Sequence, residues 1–150
     1  MDYVKYIRNM TGNNKIILNA SAVIIEKDDM ILLQKRSDNS KWGLIGGIME
    51  LGETYKDCAI REAKEETSLD INLDYLIGIY NNYNMEWPSG DKAHVICAIY
   101  KATIKSGVLK KDFESLELKF FKKEDIPYIF AEDHRKAIND YFNGIKNNIE

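Results

Sequence analysis

Between Gly46 and Leu69 the chain reads GGIMELGETYKDCAIREAKEETSL, which gathers five glutamates, one arginine and three glycines into one short stretch. Glu62, Glu65 and Glu66 stand three and four positions apart, and on an α-helix those offsets return to one face. Stacked like charges each cost such a helix about 0.2–0.5 kcal/mol, and more when the stripe is partly buried, so the pattern asks for a compensating cation. A divalent ion answers it. Mg²⁺ takes oxygen ligands in octahedral geometry, uses a few carboxylates and keeps waters that a phosphate can displace. Read alone, REAKEE is more often an exposed Glu/Lys-rich helix, ordinary in a chain that is 30% charged.

The elements that position these carboxylates can be read around them. Thr54 is a good N-cap, and Tyr55 to Thr67 contains neither Gly nor Pro, which predicts a helix of about three and a half turns. Ala59, Ile60 and Ala63 lie beside the acidic stripe and are expected to pack on the core, while Asp57 and Lys64 fall on a flank that stays wet. Gly46 and Gly47 allow close backbone approach upstream of that helix.

The order of residues carries more than the acidic cluster does. Gly47, Glu53 six positions later, Arg61-Glu62 eight later, then Glu65-Glu66 and Leu69 resemble the signature of the Nudix hydrolase family. The preceding Trp42-Gly43-Leu44 and the Glu50-x-Gly52-Glu53 run also look like that family, and the chain as a whole resembles its bacterial MutT-like members. Two positions depart from the pattern. Ser68 stands where the family has Gly, and Ile45 where many members have Pro; Ser68 falls at the helix C-terminus, where a left-handed residue suits Gly better by roughly 1 kcal/mol.

The resemblance implies an α/β/α sandwich, a mixed β-sheet flanked by helices, and hydrolysis of a pyrophosphate bond in a nucleoside diphosphate linked to another group. ADP-ribose-like molecules and nucleoside triphosphates are both candidate substrates. Water is the nucleophile, and a bound metal lowers its pKa and neutralises phosphate charge. By position Glu62, Glu65 and Glu66, with the carbonyl of Gly46, are the expected ligands of Mg²⁺, with Mn²⁺ as a substitute. Glu114 resembles an extra glutamate that several members supply from a later loop, as ligand or as general base; Glu65 is the other candidate base. Arg61 and Glu53 are expected to pair internally and brace the loop carrying Gly46. Two other classes of function stay open: a non-catalytic nucleotide-sensing module on the same fold, and an acidic-helix interaction domain or divalent-ion buffer.

Length and composition set the outer bounds. The chain has 150 residues, 45% hydrophobic, enough for one domain with one core, with the motif at 47–69 and a short helix at 2–10. A net charge of −3 gives no basic footprint, so neither long nucleic acid nor an anionic membrane is an expected partner, and a small nucleotide is. Homodimerisation is left open. Cys58 and Cys97 lack metal-site spacing and read as small core residues of a reducing, cytoplasmic compartment.

Elsewhere the reading is coarser. Ile16 to Ile25 and Met30 to Gln34 form a hairpin through Lys27-Asp28-Asp29, and Arg36 follows where its planar fork could meet phosphate. Trp42 is weighed as core. Ile71 to Tyr80 and His94 to Ile104 are strands flanking a loop, Asn81 to Lys92, long for a hairpin. Its Tyr83 and Trp87 are candidates to stack on a base, the loop closes over the site, or it is a hairpin tip packed on itself. Leu116 to Phe121 is a last strand, and an amphipathic helix over Ala131 to Asn147 keeps its period through Ile145. His94 and His134 read as structural or surface histidines.

Overall fold

Runs of consecutive aliphatic residues on either side of Lys27-Asp28-Asp29 produce the central hairpin of the fold. The computed structural model describes residues 2–150. After helix α1 (Tyr3–Thr11), strands β1 (Ile16–Lys27) and β2 (Met30–Arg36) are joined through Asp28 and Asp29, at φ 52° and 60°. Two consecutive left-handed residues match the twist of the strands they connect, and aspartate tolerates that region. Leu18, Ala20, Ala22 and Ile24 point to one face of β1, and Val23 and Ile25 to the other, all buried. Such a strand, buried on both sides, belongs at the centre of a sheet.

Short strands β3 (Trp42–Gly43) and β4 (Ile45–Ile48) follow, then helix α2 (Tyr55–Thr67) and the long strands β5 (Asp70–Glu86) and β6 (Lys92–Ser106). The chain closes with β7 (Ser115–Phe121), a 3₁₀ turn at Lys123–Asp125, helix α3 (Glu132–Phe142) and β8 (Asn148–Ile149). The eight strands form one mixed sheet in the order β3-β2-β1-β6-β5-β8, with β4 also paired to β1 and β7 to β2. β1 runs parallel to β6 from Ile16 opposite Ala93 to Glu26 opposite Thr103. One face packs on α2 through Ala59 and Ala63, with Leu69 just beyond the helix end; the other packs on α3 through Ala137 and Ile138, with Tyr3 and Ile7 of α1 alongside. This is the α/β/α arrangement the sequence implied. No helix among the described residues is long and apolar enough to cross a membrane.

Three local expectations are corrected. The segment Asn81 to Lys92 is mostly strand: β5 runs on to Glu86 and β6 begins at Lys92, leaving a tip of Trp87 to Asp91 closed by the Trp87 N–H on the Asp91 carbonyl, 3.0 Å. Three asparagines disfavour a strand, but Ala93, Val95 and Ile96 of β6 need a pairing partner, and a bulge between Asn82 and Met85 absorbs the mismatch. Ile60 is 45% exposed; the buried side of α2 is Cys58, Ala59, Ala63, Glu66 and Thr67, one step round from the expected face. The last helix stops at Phe142, since Gly144 at φ 71° reverses the chain into β8, and Ile145 lies outside it.

Candidate active site

Helix α2 begins in a capping box, the Thr54 hydroxyl accepting from the Asp57 N–H and the Asp57 carboxylate accepting from the Thr54 N–H. It ends at Ser68, which sits left-handed at φ 63° as its position in the motif implied. With both ends fixed, the three carboxylates take different environments. The Glu65 side chain is 57% exposed, that of Glu62 is 13% exposed, and Glu66 as a residue is 3% exposed. Glu66 accepts one hydrogen bond, from the Gly46 N–H at 3.1 Å. Burial, then the neighbouring charge of Glu62, pushes its carboxyl well above the ordinary carboxylate range, and burial raises Glu62 as well, against the pull of Arg61.

Arg61 is the hub of this wall. It pairs with Glu53 through both Nε and Nη2, the latter at 3.0 Å, and donates to Glu62 at 2.7 Å, to Glu65 at 3.2 Å and to the Ile48 carbonyl at 3.2 Å. Glu53 in turn accepts the Glu50 N–H at 2.8 Å, so the loop is tied back onto the helix. The Arg61 guanidinium holds the Glu53 carboxyl below its usual range. The two glycines permit the approach: a side chain on Gly46 would strike the Ser21 carbonyl and Ala22, and one on Gly47 would strike the Glu62 carboxylate. The pair Arg61 and Glu53, expected from the motif, is therefore present, and Arg61 does more than brace the loop.

Opposite α2, the chain from Trp42 to Gly47 forms the floor of a cleft of about 520 Å³, within the range of small-molecule sites. The Phe130 N–H donates to the Trp42 carbonyl at 3.0 Å, stitching the start of α3 to this floor. His134 accepts the Leu44 N–H on Nδ1 at 3.1 Å, which assigns its proton to Nε2, and burial lowers its pKa, keeping the ring neutral. Asp133, 3% exposed, lies beside it, and no hydrogen bond reaches its Oδ1.

Of the expected site residues, Gly46, Arg61, Glu62, Glu65, Glu66, Arg36, Glu114 and Trp87 all line this cleft. Arg36 is forked onto Asp38, 2.9 Å to each carboxylate oxygen. The Glu114 carboxyl is raised, by desolvation first and then by Asp112. Trp87 divides its surface between the core and the cleft wall. Glu53 stands behind Arg61. Tyr83 does not reach the cleft: it is 50% exposed and rests on His94, ring centroids 4.7 Å apart. With the hairpin continuing past it, Tyr83 faces outward from β5. The residues that spacing missed are Trp42, Phe130, Asp133 and His134. An aromatic followed within four positions by Asp-His at a helix start was the available signal, and its meaning depends on a contact 90 positions away.

The donor set on α2 fits a hard divalent cation. It is made of carboxylates and a backbone strand, and Glu66 is a buried carboxylate facing like charge with one neutral hydrogen bond to offset it.

The NUDIX domain profile matches residues 15–141. The chain is 40% identical over 121 residues to a protein of Methanocaldococcus jannaschii named ADP-ribose pyrophosphatase, covering 79% of this chain and 69% of that one. It is 25% identical over 127 residues to a MutT-like protein of Streptomyces ambofaciens, covering 85% and 77%. Among solved structures, an ADP-ribose pyrophosphatase of Streptococcus suis superposes with a TM-score of 0.68 at 20% identity, covering 88% of this chain and 96% of that one. With the profile spanning β1 to β7, α2 and most of α3, the chain belongs to the Nudix family and is a pyrophosphohydrolase.

Proposed function

We propose that the protein hydrolyses the pyrophosphate bond of a nucleoside diphosphate linked to a second group, with ADP-ribose as the leading substrate, in the presence of Mg²⁺ or, in its place, Mn²⁺. The observation that carries this reading is the placement of Glu62, Glu65 and Glu66 on one wall of the cleft with the Gly46 peptide against Glu66. The 40% identity to the archaeal ADP-ribose pyrophosphatase supports the choice of substrate. Glu62, Glu65, Glu66 and the Gly46 carbonyl are the residues that would hold the ion, with Glu114 across the cleft. Bound there, it supplies charge neutralisation at phosphate and a lowered pKa for water.

The chain's own residues do the rest. Arg61 fixes the rotamers of Glu62 and Glu65, so their oxygens are set before substrate arrives. Arg36, oriented by Asp38, offers its remaining N–H groups to a phosphate oxygen. Water attacks one phosphorus, the bridging P–O bond breaks, and two phosphate monoesters leave. The proton released goes to Glu114, whose carboxyl desolvation raises toward the range useful to a general base, while Glu65 is engaged by Arg61. The whole chain acts as one domain, and its two buried free thiols suit a reducing cytoplasm.

The test is a panel of ADP-ribose, NADH, nucleoside triphosphates and dinucleoside polyphosphates, each with Mg²⁺, with products identified. ADP-ribose should give AMP and ribose 5-phosphate. No hydrolysis of any member would sink the reading.

A further inference from the structure

Glu114 stands in a loop that its apolar side chains do not hold. Between β6 and β7, Val108 and Phe113 are 83% and 87% exposed, so burial gives this stretch little to settle against. Yet the Glu114 side chain lines the cleft, and both of its backbone groups are taken. Its N–H donates to Asp112 Oδ1 at 3.0 Å, and its carbonyl accepts the Ser37 N–H at 2.9 Å.

Asp112 opens a turn, its carbonyl accepting the Ser115 N–H at 3.4 Å. Aspartate suits that first position because its short carboxylate can take the N–H two residues on. The far end of the turn is anchored in the core. The Ser115 hydroxyl accepts from the Gln34 amide nitrogen at 2.7 Å and reaches toward Asp112 Oδ1 at 3.5 Å; Ser115 and Gln34 are 3% and 1% exposed. A string of polar groups thus runs from the interior of the sheet, through Gln34, Ser115 and Asp112, to the peptide of Glu114.

The same part of the sheet carries Arg36. Strands β2 and β7 pair regularly from Ile31 opposite Phe121 to Lys35 opposite Glu117, then shift so that Arg36 faces Ser115. Such an irregularity ends the regular ladder and re-aims the chain. Just past it, the bond from the Ser37 N–H to Glu114 joins the residue after Arg36 to the glutamate, so the two side chains are placed from adjoining backbone.

We propose that Asp112 is a positioning residue of the hydrolytic reaction: its carboxylate, backed by Ser115 and Gln34, holds the Glu114 peptide at a fixed place relative to Arg36. A reacting group misplaced by about 1 Å can cost on the order of 100-fold in rate, and the exposed side chains of this loop supply no packing to prevent it. The proposal rests on the reading of Glu114 as the group that takes the proton, and extends it to residues that touch neither water nor substrate.

The test compares Asp112→Ala, Asp112→Asn, Gln34→Met and Glu114→Gln in the full chain. On ADP-ribose with Mg²⁺, Asp112→Ala should lower kcat roughly 10- to 100-fold with KM within about 3-fold. Asp112→Asn keeps an oxygen for the Glu114 N–H and loses the charge, and should return kcat to within a few-fold of wild type. Gln34→Met should lower kcat in the same direction, and combined with Asp112→Ala it should cost no more than Asp112→Ala alone, since both break one string. The second readout needs neither metal nor turnover. Amide hydrogen exchange in metal-free protein should find the Glu114 N–H protected in wild type and in Asp112→Asn, and at least about 10-fold faster in Asp112→Ala, with the Leu32 and Leu33 amides of β2 unchanged as the control for folding. Wild-type kcat in Asp112→Ala overturns the proposal, as does a kcat loss that Asp112→Asn repeats in full or Glu114 exchange that ignores Asp112→Ala. If Glu114→Gln turns over within a few-fold of wild type, the reading of Glu114 as base falls and the positioning role with it. If Glu114→Gln is inactive while Asp112→Ala is not, the positioning role falls alone.

Discussion

Replacing Glu66 by Gln changes one charge and almost no volume at the most buried point of the acidic wall. In the native protein that carboxylate is 3% exposed, accepts a single hydrogen bond of 3.1 Å from Gly46, and faces the like charge of Glu62. The amide keeps an oxygen for the Gly46 N–H, so the packing survives, and it removes a buried charge that only a cation offsets. Two consequences separate cleanly. With chelator present, Glu66→Gln should melt no lower than wild type. With Mg²⁺ at about 100 times Kd, wild type should gain about 2.7 kcal/mol, which for a chain of this size is a rise of about 5–10 °C in Tm, and the variant should gain little of it. Turnover of ADP-ribose should fall at least about 100-fold. Differential scanning fluorimetry with and without Mg²⁺, beside a product assay, reads all three. A variant that keeps the full Mg²⁺-dependent rise, or turns over within a few-fold of wild type, would refute the reasoning.

Arg61→Ala should lower stability by about 2 kcal/mol and activity with it, because Glu53, Glu62 and Glu65 lose their common partner; urea midpoints and turnover measured together check this, and no change in either would remove Arg61 from its place as hub. Ser68→Gly should raise Tm by roughly 2–4 °C, since Ser68 already occupies the left-handed cap at φ 63°, and activity should not change. Glu53 has its carboxyl lowered by Arg61, so its contribution to stability is present above the ordinary glutamate value of 4.5 and is lost as pH falls through the lowered value. Glu53→Gln should therefore cost stability at pH 7, with the gap to wild type closing below pH 4.5 in a series of denaturant titrations.

What the sequence made legible is what depends on local spacing. The helix over Tyr55–Thr67, its Thr54 cap, the left-handed Ser68 and the Arg61–Glu53 pair all follow from residues within fifteen positions of one another. Helical periodicity alone treats Glu62, Glu65 and Glu66 as one stripe, however; which of them is buried is decided by where β4 lies against α2, and that is tertiary. The strand over Asn81–Glu86 was hidden by its asparagines, because the partner that makes it a strand is β6. Tyr83 and Trp87 looked alike in composition, yet the alternation of β5 turns Tyr83 outward while the hairpin tip carries Trp87 to the cleft. Asp133 and His134 offered only an Asp-His pair after an aromatic at a helix start, and what that pair touches depends on the peptide of Leu44.

Helix α1 lies outside the stretch matched by the family profile, which begins at residue 15. Its first peptide donates to Glu50 in the loop before α2, at 3.0 Å, and its Arg8 donates to the Lys92 carbonyl beside the tip of the β5–β6 hairpin, at 2.7 Å. Asp2 and Val4 reach the cleft from there. A nine-residue helix thus touches two margins of the site without bonding to the carboxylates of α2. Selection acting on this helix alone can reshape the mouth of the cleft and leave the hydrolytic apparatus intact, so grafting α1 between relatives is a direct route to new substrate preferences in this scaffold.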